Sequence, residues 1–449
     1  MTLSRRQLLR GVGAGTAAGL VGVSTSAAAS TTETRRVFVH PRNGLVGNLL
    51  DAVEAVGGTT VLEYESFDFV VAEVPTDRLD ELRALSPIAS VEDDENTGIP
   101  DDWSPSLLDL LRPPGEDCST HPDQESSWGH DRIGVGDVDP TGADVDIGIL
   151  DTGIQTDHCS LEVAGGRNVT SSGPPGDYED RHGHGTHVAG VAAGADNDLG
   201  VVGAAPDANL YAVKVLDDEG NGWYSELIAG IDWCIEHDVE LISMSLGGTD
   251  SHPAVDEAIE TAHAAGHLLL SAAGNQGNNG ADTCDEETMT YPATHEDVVA
   301  VAAMNEDDTL ASYSSVGSAI DLLAPGTDVN STYANNEYAE ASGTSIACPF
   351  VTGVAALVWE TRAEDGPGPN EAVRGILADT AEPVLESCAE GHGIVDARAA
   401  VGDDRSTDGG DDDTGLTGGL TDGGAIGSVV EWVTDLIAGI VDWIRGLFS

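Results

Sequence analysis

The sequence predicts an α/β fold, a mostly parallel sheet with helices on both faces, preceded by a small α+β domain. Three observations carry that expectation. From Ala143 to about Val401, short apolar runs alternate with helical patterns, the signature of strands joined by crossover helices. Residues 34–96 repeat the alternation on a smaller scale. At 449 residues the chain is long enough for one large domain with smaller parts at either end.

The first thirty residues read as an export signal. Ser4-Arg5-Arg6-Gln7-Leu8-Leu9-Arg10 carries paired arginines, a Gly/Ala/Val-rich stretch runs to about Val23, and Ala27-Ala28-Ala29 offers small residues for cleavage. The stretch is short and Gly-rich, which disfavours a membrane anchor. Export by the twin-arginine route is expected, to the exterior or to retention at the cell surface. Within residues 34–96, Arg36–Val39 and Phe67–Ala72 read as strands, and Leu45–Val56 and Thr76–Leu85 as amphipathic helices. Together they suggest a βαββα-like unit. The Pro/Asp-rich connection of residues 97–123 is the kind of exposed segment where chains are cut.

In residues 124–401, strands are expected at Val145–Leu150, Leu210–Val215, Val239–Ser245, His267–Ala272 and Val298–Ala303. Helical patterns cover His184–Gly194, Trp223–His237 and Val255–Ala265. Residues 402–424 form a Gly/Asp/Thr tract too polar to pack. Residues 425–449 read as an amphipathic helix, with Trp432, Val433, Leu436, Ile440, Trp443, Ile444 and Leu447 on one side. Charges inside the run argue against a membrane span. The helix is suited to a membrane surface, to a partner, or to packing back on its own chain.

Asp and Glu number 79 against 18 Lys and Arg, a net charge of −61. Such acidity argues against nucleic acid as a partner, because phosphate binding needs clustered cations. It suits a surface kept soluble where salt screens charge strongly. Six cysteines in an exported chain allow disulfides. Cys234 and Cys348 lie in apolar helical patterns, as buried free thiols do, whereas Cys118, Cys159, Cys284 and Cys388 lie in loop-like sequence.

Asp151, His184 and Ser345 each stand where an apolar run turns into a loop or helix. A serine hydroxyl needs a base to take its proton, and the base needs a carboxylate to orient it. Ser345 opens an apolar helical run, so its backbone N–H falls near a helix N-terminus, where partial positive charge favours an oxyanion. His182, His184 and His187 also invite a reading as a zinc cluster, but no carboxylate or cysteine stands at a familiar ligand spacing.

At these positions the chain resembles the subtilisin (subtilase) family, in a form like the haloarchaeal halolysins. The resemblance rests on Leu150-Asp151-Thr152-Gly153-Ile154, His184-Gly185-Thr186-His187-Val188-Ala189-Gly190 and Gly343-Thr344-Ser345-Ile346-Ala347-Cys348-Pro349. Ser243-Met244-Ser245-Leu246-Gly247-Gly248 and Ala272-Ala273-Gly274-Asn275 fall between them in the family's order. It implies a serine endopeptidase with Ser345 as nucleophile, His184 as acid/base, Asp151 as orienting carboxylate and Asn275 as oxyanion donor. It further implies that a protein substrate pairs as an added strand with Gly220–Gly222 and with Ser245, Leu246 and Gly247. Ala272, Gly274 and Thr290 would wall the primary pocket, which is small and neutral and suits a large apolar or aromatic residue before the cut. Tyr224 and Leu246 would line a second apolar pocket or simply pack.

By the same resemblance, residues 34–96 are a propeptide that aids folding and inhibits until it is cut away. Structural calcium would involve Gln124 and Asn197, although Ser160 replaces the family's aspartate and removes the strongest donor. No organic cofactor is expected, and the chain is expected to be a monomer. A site-specific processing protease and a non-catalytic surface-binding relative are the alternatives.

Overall fold

The computed structural model describes residues 33–99, 123–277, 287–363, 368–385 and 387–402. The proposed export signal, most of the 97–123 connection, the polar tract after Gly402 and the C-terminal helix lie outside the described residues.

The N-terminal unit begins with β1 (Thr34–Pro41), α1 (Val46–Ala55), β2 (Thr59–Glu63) and β3 (Val70–Pro75). It ends with α2 (Leu79–Arg83) and β4 (Ile88–Asp93). Its antiparallel sheet runs β2-β3-β1-β4. The unit therefore carries one strand more than the expected βαββα pattern, because Ile88–Asp93 pairs with β1 instead of trailing away. The helix expected over Thr76–Leu85 is a 3-10 turn at Thr76–Arg78 running into the short α2.

The second unit contains β6 (Asp146–Asp151), β7 (Val163–Asn168), α4 (His184–Ala193), β8 (Asn209–Lys214) and β9 (Asn221–Trp223). Two short elements precede them, β5 (Asn96–Gly98) and α3 (Trp128–Ile133). After β9 come α5 (Tyr224–Glu236), β10 (Leu241–Met244), α6 (Pro253–Ala265), β11 (Leu268–Ala272) and β12 (Val298–Met304). The chain closes with β13 (Leu322–Pro325), β14 (Val329–Tyr333), β15 (Glu337–Ala341) and α7 (Thr344–Arg362). Three shorter helices follow, α8 (Pro369–Thr380), α9 (Ser387–Glu390) and α10 (Ala397–Val401).

Local chemistry sets these limits. Pro253 occupies the first turn of α6, the His252 ring accepts from Ala254 N–H at 3.2 Å, and Gly266 ends the helix in the left-handed region. Thr344 to Val358 of α7 are all buried. That helix is apolar and long enough to cross a bilayer, yet 83% of its apolar window lies inside the protein.

The seven-stranded sheet has the order β13-β12-β11-β10-β6-β8-β7, with every pair parallel. Strand order reverses between β6 and β10, and in open parallel sheets the carboxyl edge at such a reversal is where ligands bind. All five strands expected from the sequence are present. β7, β13 and the β14–β15 hairpin are additional, and their short or Gly-broken runs explain why pattern alone does not mark them.

Cys234 and Cys348 are free and buried, and Cys159 and Cys388 are disulfide-bonded. The N-terminal unit shares a core with the sheet domain: Phe38, Tyr64, Phe67 and Phe69 pack in one cluster with Tyr224, Leu246 and Val255. Arg36 crosses the same boundary, 2.7 Å from Asp94 and 3.8 Å from Glu226, with 10% of its side chain exposed. The Asp94 carboxylate accepts from Ser225 N–H at 3.1 Å, in the first turn of α5. Phe38→Ala in the intact chain should lower the unfolding free energy by about 3–5 kcal/mol. Equilibrium denaturation in concentrated salt measures this, and a loss under 1 kcal/mol (roughly, within ordinary surface effects) contradicts the shared core.

Candidate active site

Asp151 ends β6, His184 opens α4 and Ser345 is the second residue of α7, and all three are fully buried. His184 Nδ1 lies 2.8 Å from Asp151 Oδ1 and 2.9 Å from Oδ2. A carboxylate only accepts, so Nδ1 carries the proton and Nε2 keeps the lone pair that a general base needs. Gly185 makes this approach possible, since a Cβ there would run into Gly153 O and come within 3.1 Å of Asp151 Oδ1.

Asn275 is held by its oxygen. Its Oδ1 accepts from Thr344 N–H and Thr344 Oγ–H, both at 2.9 Å. Thr344 Oγ1 in turn accepts from Gly274 N–H at 3.1 Å. The amide is thereby oriented, and its Nδ2 is buried without an acceptor, as the Ser345 hydroxyl is buried without a partner. A carbon at the Cβ position of Gly343 would lie 2.8 Å from Ser345 Oγ and 3.4 Å from Asn275 Nδ2. Glycine keeps that space open. Leaving a buried donor unmade costs free energy, and a developing oxyanion between Asn275 Nδ2 and the first-turn N–H of Ser345 would satisfy that amide.

Asp180 organises the surroundings and was not singled out by sequence reasoning. It is buried and accepts from Thr152 Oγ1 (2.9 Å), His182 N (2.9 Å), Gly183 N (2.9 Å), Thr186 N (2.9 Å) and Thr186 Oγ1 (2.6 Å). One carboxylate thus ties the turn after Asp151 to the first turn of α4. Its position four residues before His184, in a Gly/His-rich loop, was the available signal.

Residues 96–99 occupy the cleft, the first three as β5, although the sequence suggests a connection from residue 97 onwards. Asn96, Thr97 and Gly98 pair antiparallel with Trp223, Gly222 and Asn221. On the other side Gly98 N–H donates to Gly247 O at 3.1 Å and Gly247 N–H to Gly98 O at 2.9 Å. Ile99 N–H donates to Gly220 O at 3.2 Å. The two segments expected to flank a substrate therefore flank this strand, and backbone atoms make the pairing.

Residues 142–415 match the subtilase family. Subtilisin DY of Bacillus licheniformis is 40% identical over 260 residues, spanning 58% of this chain and 92% of its own length. A thermostable alkaline protease of Halalkalibacterium halodurans is 42% identical over 255 residues, 57% of this chain and 67% of that protein. An intracellular serine protease of Paenibacillus polymyxa is 44% identical over 221 residues, 48% of this chain and 67% of that one. The chain belongs to the subtilase family. It is a serine endopeptidase acting on protein substrates.

In this subtilase, Gly247, Gly274 and Thr290 converge. A Cβ on Gly274 would lie 2.8 Å from Thr290 Oγ1, and one on Gly247 would lie 2.7 Å from it. Ala272 ends β11 beside them and is buried. The wall they form is small and uncharged. Tyr224 and Leu246 are fully buried in the cluster shared with the N-terminal unit, and Tyr224 Oη donates to Asp250 O at 2.7 Å. Both pack beneath the N-terminal unit.

The residues expected for calcium, Gln124 and Asn197, lie side by side. Gln124 Oε1 accepts from Asn197 N–H at 2.9 Å, and Gln124 Nε2 donates to Asp196 at 2.9 Å. Asn197 Oδ1 accepts from Leu199 N–H at 3.1 Å, and Ser160 Oγ donates to Leu199 O at 3.0 Å. The Gln124 and Asn197 amide oxygens each accept one hydrogen bond that closes the loop and keep a second lone pair, and a neutral serine, Ser160, stands where the resemblance implies an aspartate. The zinc reading fails. The His187 ring faces Val329 O at 3.2 Å and Ala339 O at 3.0 Å, and no metal-type cluster occurs among the described residues.

Burial pushes the His187 and His130 imidazoles down from 6.5 to about 4. Below pH ~6.5 the unfolded chain binds protons that these rings refuse in the folded state. The stability held above that pH is therefore lost as pH falls toward about 4. His187→Gln keeps a donor for the two carbonyls and should remove about one proton from the slope of unfolding free energy across this window. Denaturation at several pH values reads it, and an unchanged slope counts against the assignment. Asp180→Asn should cut turnover at least tenfold (roughly the scale of losing catalytic orientation), read on folded, site-titrated enzyme.

Proposed function

We propose that this subtilase is an exported, salt-adapted endopeptidase made as a zymogen, with broad specificity favouring a large apolar or aromatic residue before the cut. The observation that carries the reading is the strand at residues 96–99, hydrogen-bonded on both edges to the segments that would hold a substrate. A chain already lying there blocks substrate until it is cut away together with residues 34–96. The small uncharged wall of Ala272, Gly274 and Thr290 supports the apolar preference. The net charge of −61 and the paired Arg5-Arg6 support work in salt after twin-arginine export, in a form like the haloarchaeal halolysins. The enzyme would act as a monomer, with residues 425–449 holding it at a membrane surface or partner.

Ser345 Oγ attacks the carbonyl carbon while His184 Nε2 takes its proton, and Asp151 stabilises the imidazolium that forms. Asn275 Nδ2 and the Ser345 N–H receive the oxyanion. His184 then gives the proton to the leaving amine, and water repeats the sequence on the acyl-enzyme. Ser345→Ala should abolish both cleavage of the N-terminal unit and casein hydrolysis in concentrated salt. A variant that matures itself and digests casein as well as the parent overturns the mechanism. Asn275→Ala should lose about a hundred- to a thousandfold in kcat with KM little changed, read with a chromogenic peptide on titrated enzyme. A peptide library that returns one obligatory motif would replace broad specificity with site-specific processing.

A further inference from the structure

The chain holds a single lysine, Lys214, among its 18 basic residues. In a sequence otherwise stripped of lysine, this one is 1% exposed, too buried to serve solubility. Burying an ammonium is costly unless it is paired and hydrogen-bonded, so its partners indicate what it does. Lys214 ends β8 opposite Asp151 in the parallel register. Its Nζ donates to Thr152 O at 2.5 Å and lies 3.0 Å from Asp218 Oδ1.

The two partners belong to different parts of the site. Thr152 follows the catalytic carboxylate, donates its N–H to Asp151 Oδ1 at 2.7 Å, and accepts from Gly185 N–H at 3.0 Å. Asp218 lies in the turn closed by Gly220 N–H donating to Asp217 O at 3.1 Å. Gly220 O from that turn receives the strand in the cleft. The lysine stem therefore spans from the turn that carries Asp151 to the turn that forms one wall of the cleft.

We propose that Lys214 is a positioning residue that holds the Asp151–His184 pair in register with the Gly220 wall. The ammonium clamps the Thr152 carbonyl from below, and Asp218 fastens the cleft turn to the same charge. The long, thin stem reaches both, and three donors on one nitrogen serve both acceptors. A guanidinium offers a flat fork in place of a point charge and fits this geometry less well. The inference rests on the catalytic assignments above.

The test uses the full-length chain in concentrated salt, with active sites counted by a fluorophosphonate. Lys214→Met should lose about tenfold to a hundredfold in kcat per titrated site, the scale of a misplaced catalytic group, with KM for a short peptide near that of the parent. Lys214→Arg should recover part of the loss. Asp218→Asn loosens only the outer arm, and its effect should fall on KM for a peptide long enough to reach Gly220. Parental kcat per titrated site in Lys214→Met, whatever its melting temperature, overturns the proposal. So does a folded Lys214→Arg no better than the methionine variant, or an Asp218→Asn that treats long and short peptides alike. If Lys214→Met does not fold, the arginine and Asp218 variants decide. Activity retained by Ser345→Ala would instead overturn the catalytic assignment, so the two failures are distinguishable.

Discussion

A carboxylate shielded from water, two oxygens against one imidazole N–H, is the constraint around which this molecule is arranged. Asp151 is held there by Thr152 N–H, which donates to Oδ1 at 2.7 Å, and by α4 starting close enough to bring His184 within 2.8 Å. The close start requires Gly185, and Asp180 locks the loop before it with five hydrogen bonds. The sheet supplies the address, since β6 ends where strand order reverses and β10 delivers Ser245 to the same edge. Ser245 Oγ then donates to Ser345 O at 2.8 Å, joining the cleft wall to the first turn of α7.

The N-terminal unit meets this edge through two kinds of contact. Apolar burial around Phe38 and Phe69 gives area without direction. The Arg36 pairing with Asp94 and Glu226, and the capping of α5 by Asp94, give register. Burial pushes both of those carboxylates up, with Arg36 opposing the shift. Together they lead the chain from β4 directly into the cleft, so that residue 96 begins a strand in place of a tether.

Most of the α/β domain was legible in the sequence because its central strands are continuous apolar runs, as doubly covered parallel strands must be. The proposed site residues Asp151, His184 and Ser345 stood out because each lies where an apolar run turns into a loop or helix. β7 was not, since Gly165 and Gly166 break its run, and a Cβ on Gly166 would collide with Ala212 O. The strand at residues 96–99 was hidden for a different reason. Its partners are backbone atoms of distant loops, and Asn-Thr-Gly-Ile carries no apolar period. Asp180 and Lys214 carry no role in the sequence reading, because the meaning of a single polar residue depends on what it touches.

The burial of Lys214 also shapes the reactivity of the whole surface. Reducing sugars, aldehydes and activated esters attack unprotonated amines, and this chain offers no lysine amine outside its interior. Glycation and aldehyde cross-linking through lysine therefore have no purchase on the folded enzyme. Its outer face reacts chemically as a polycarboxylate.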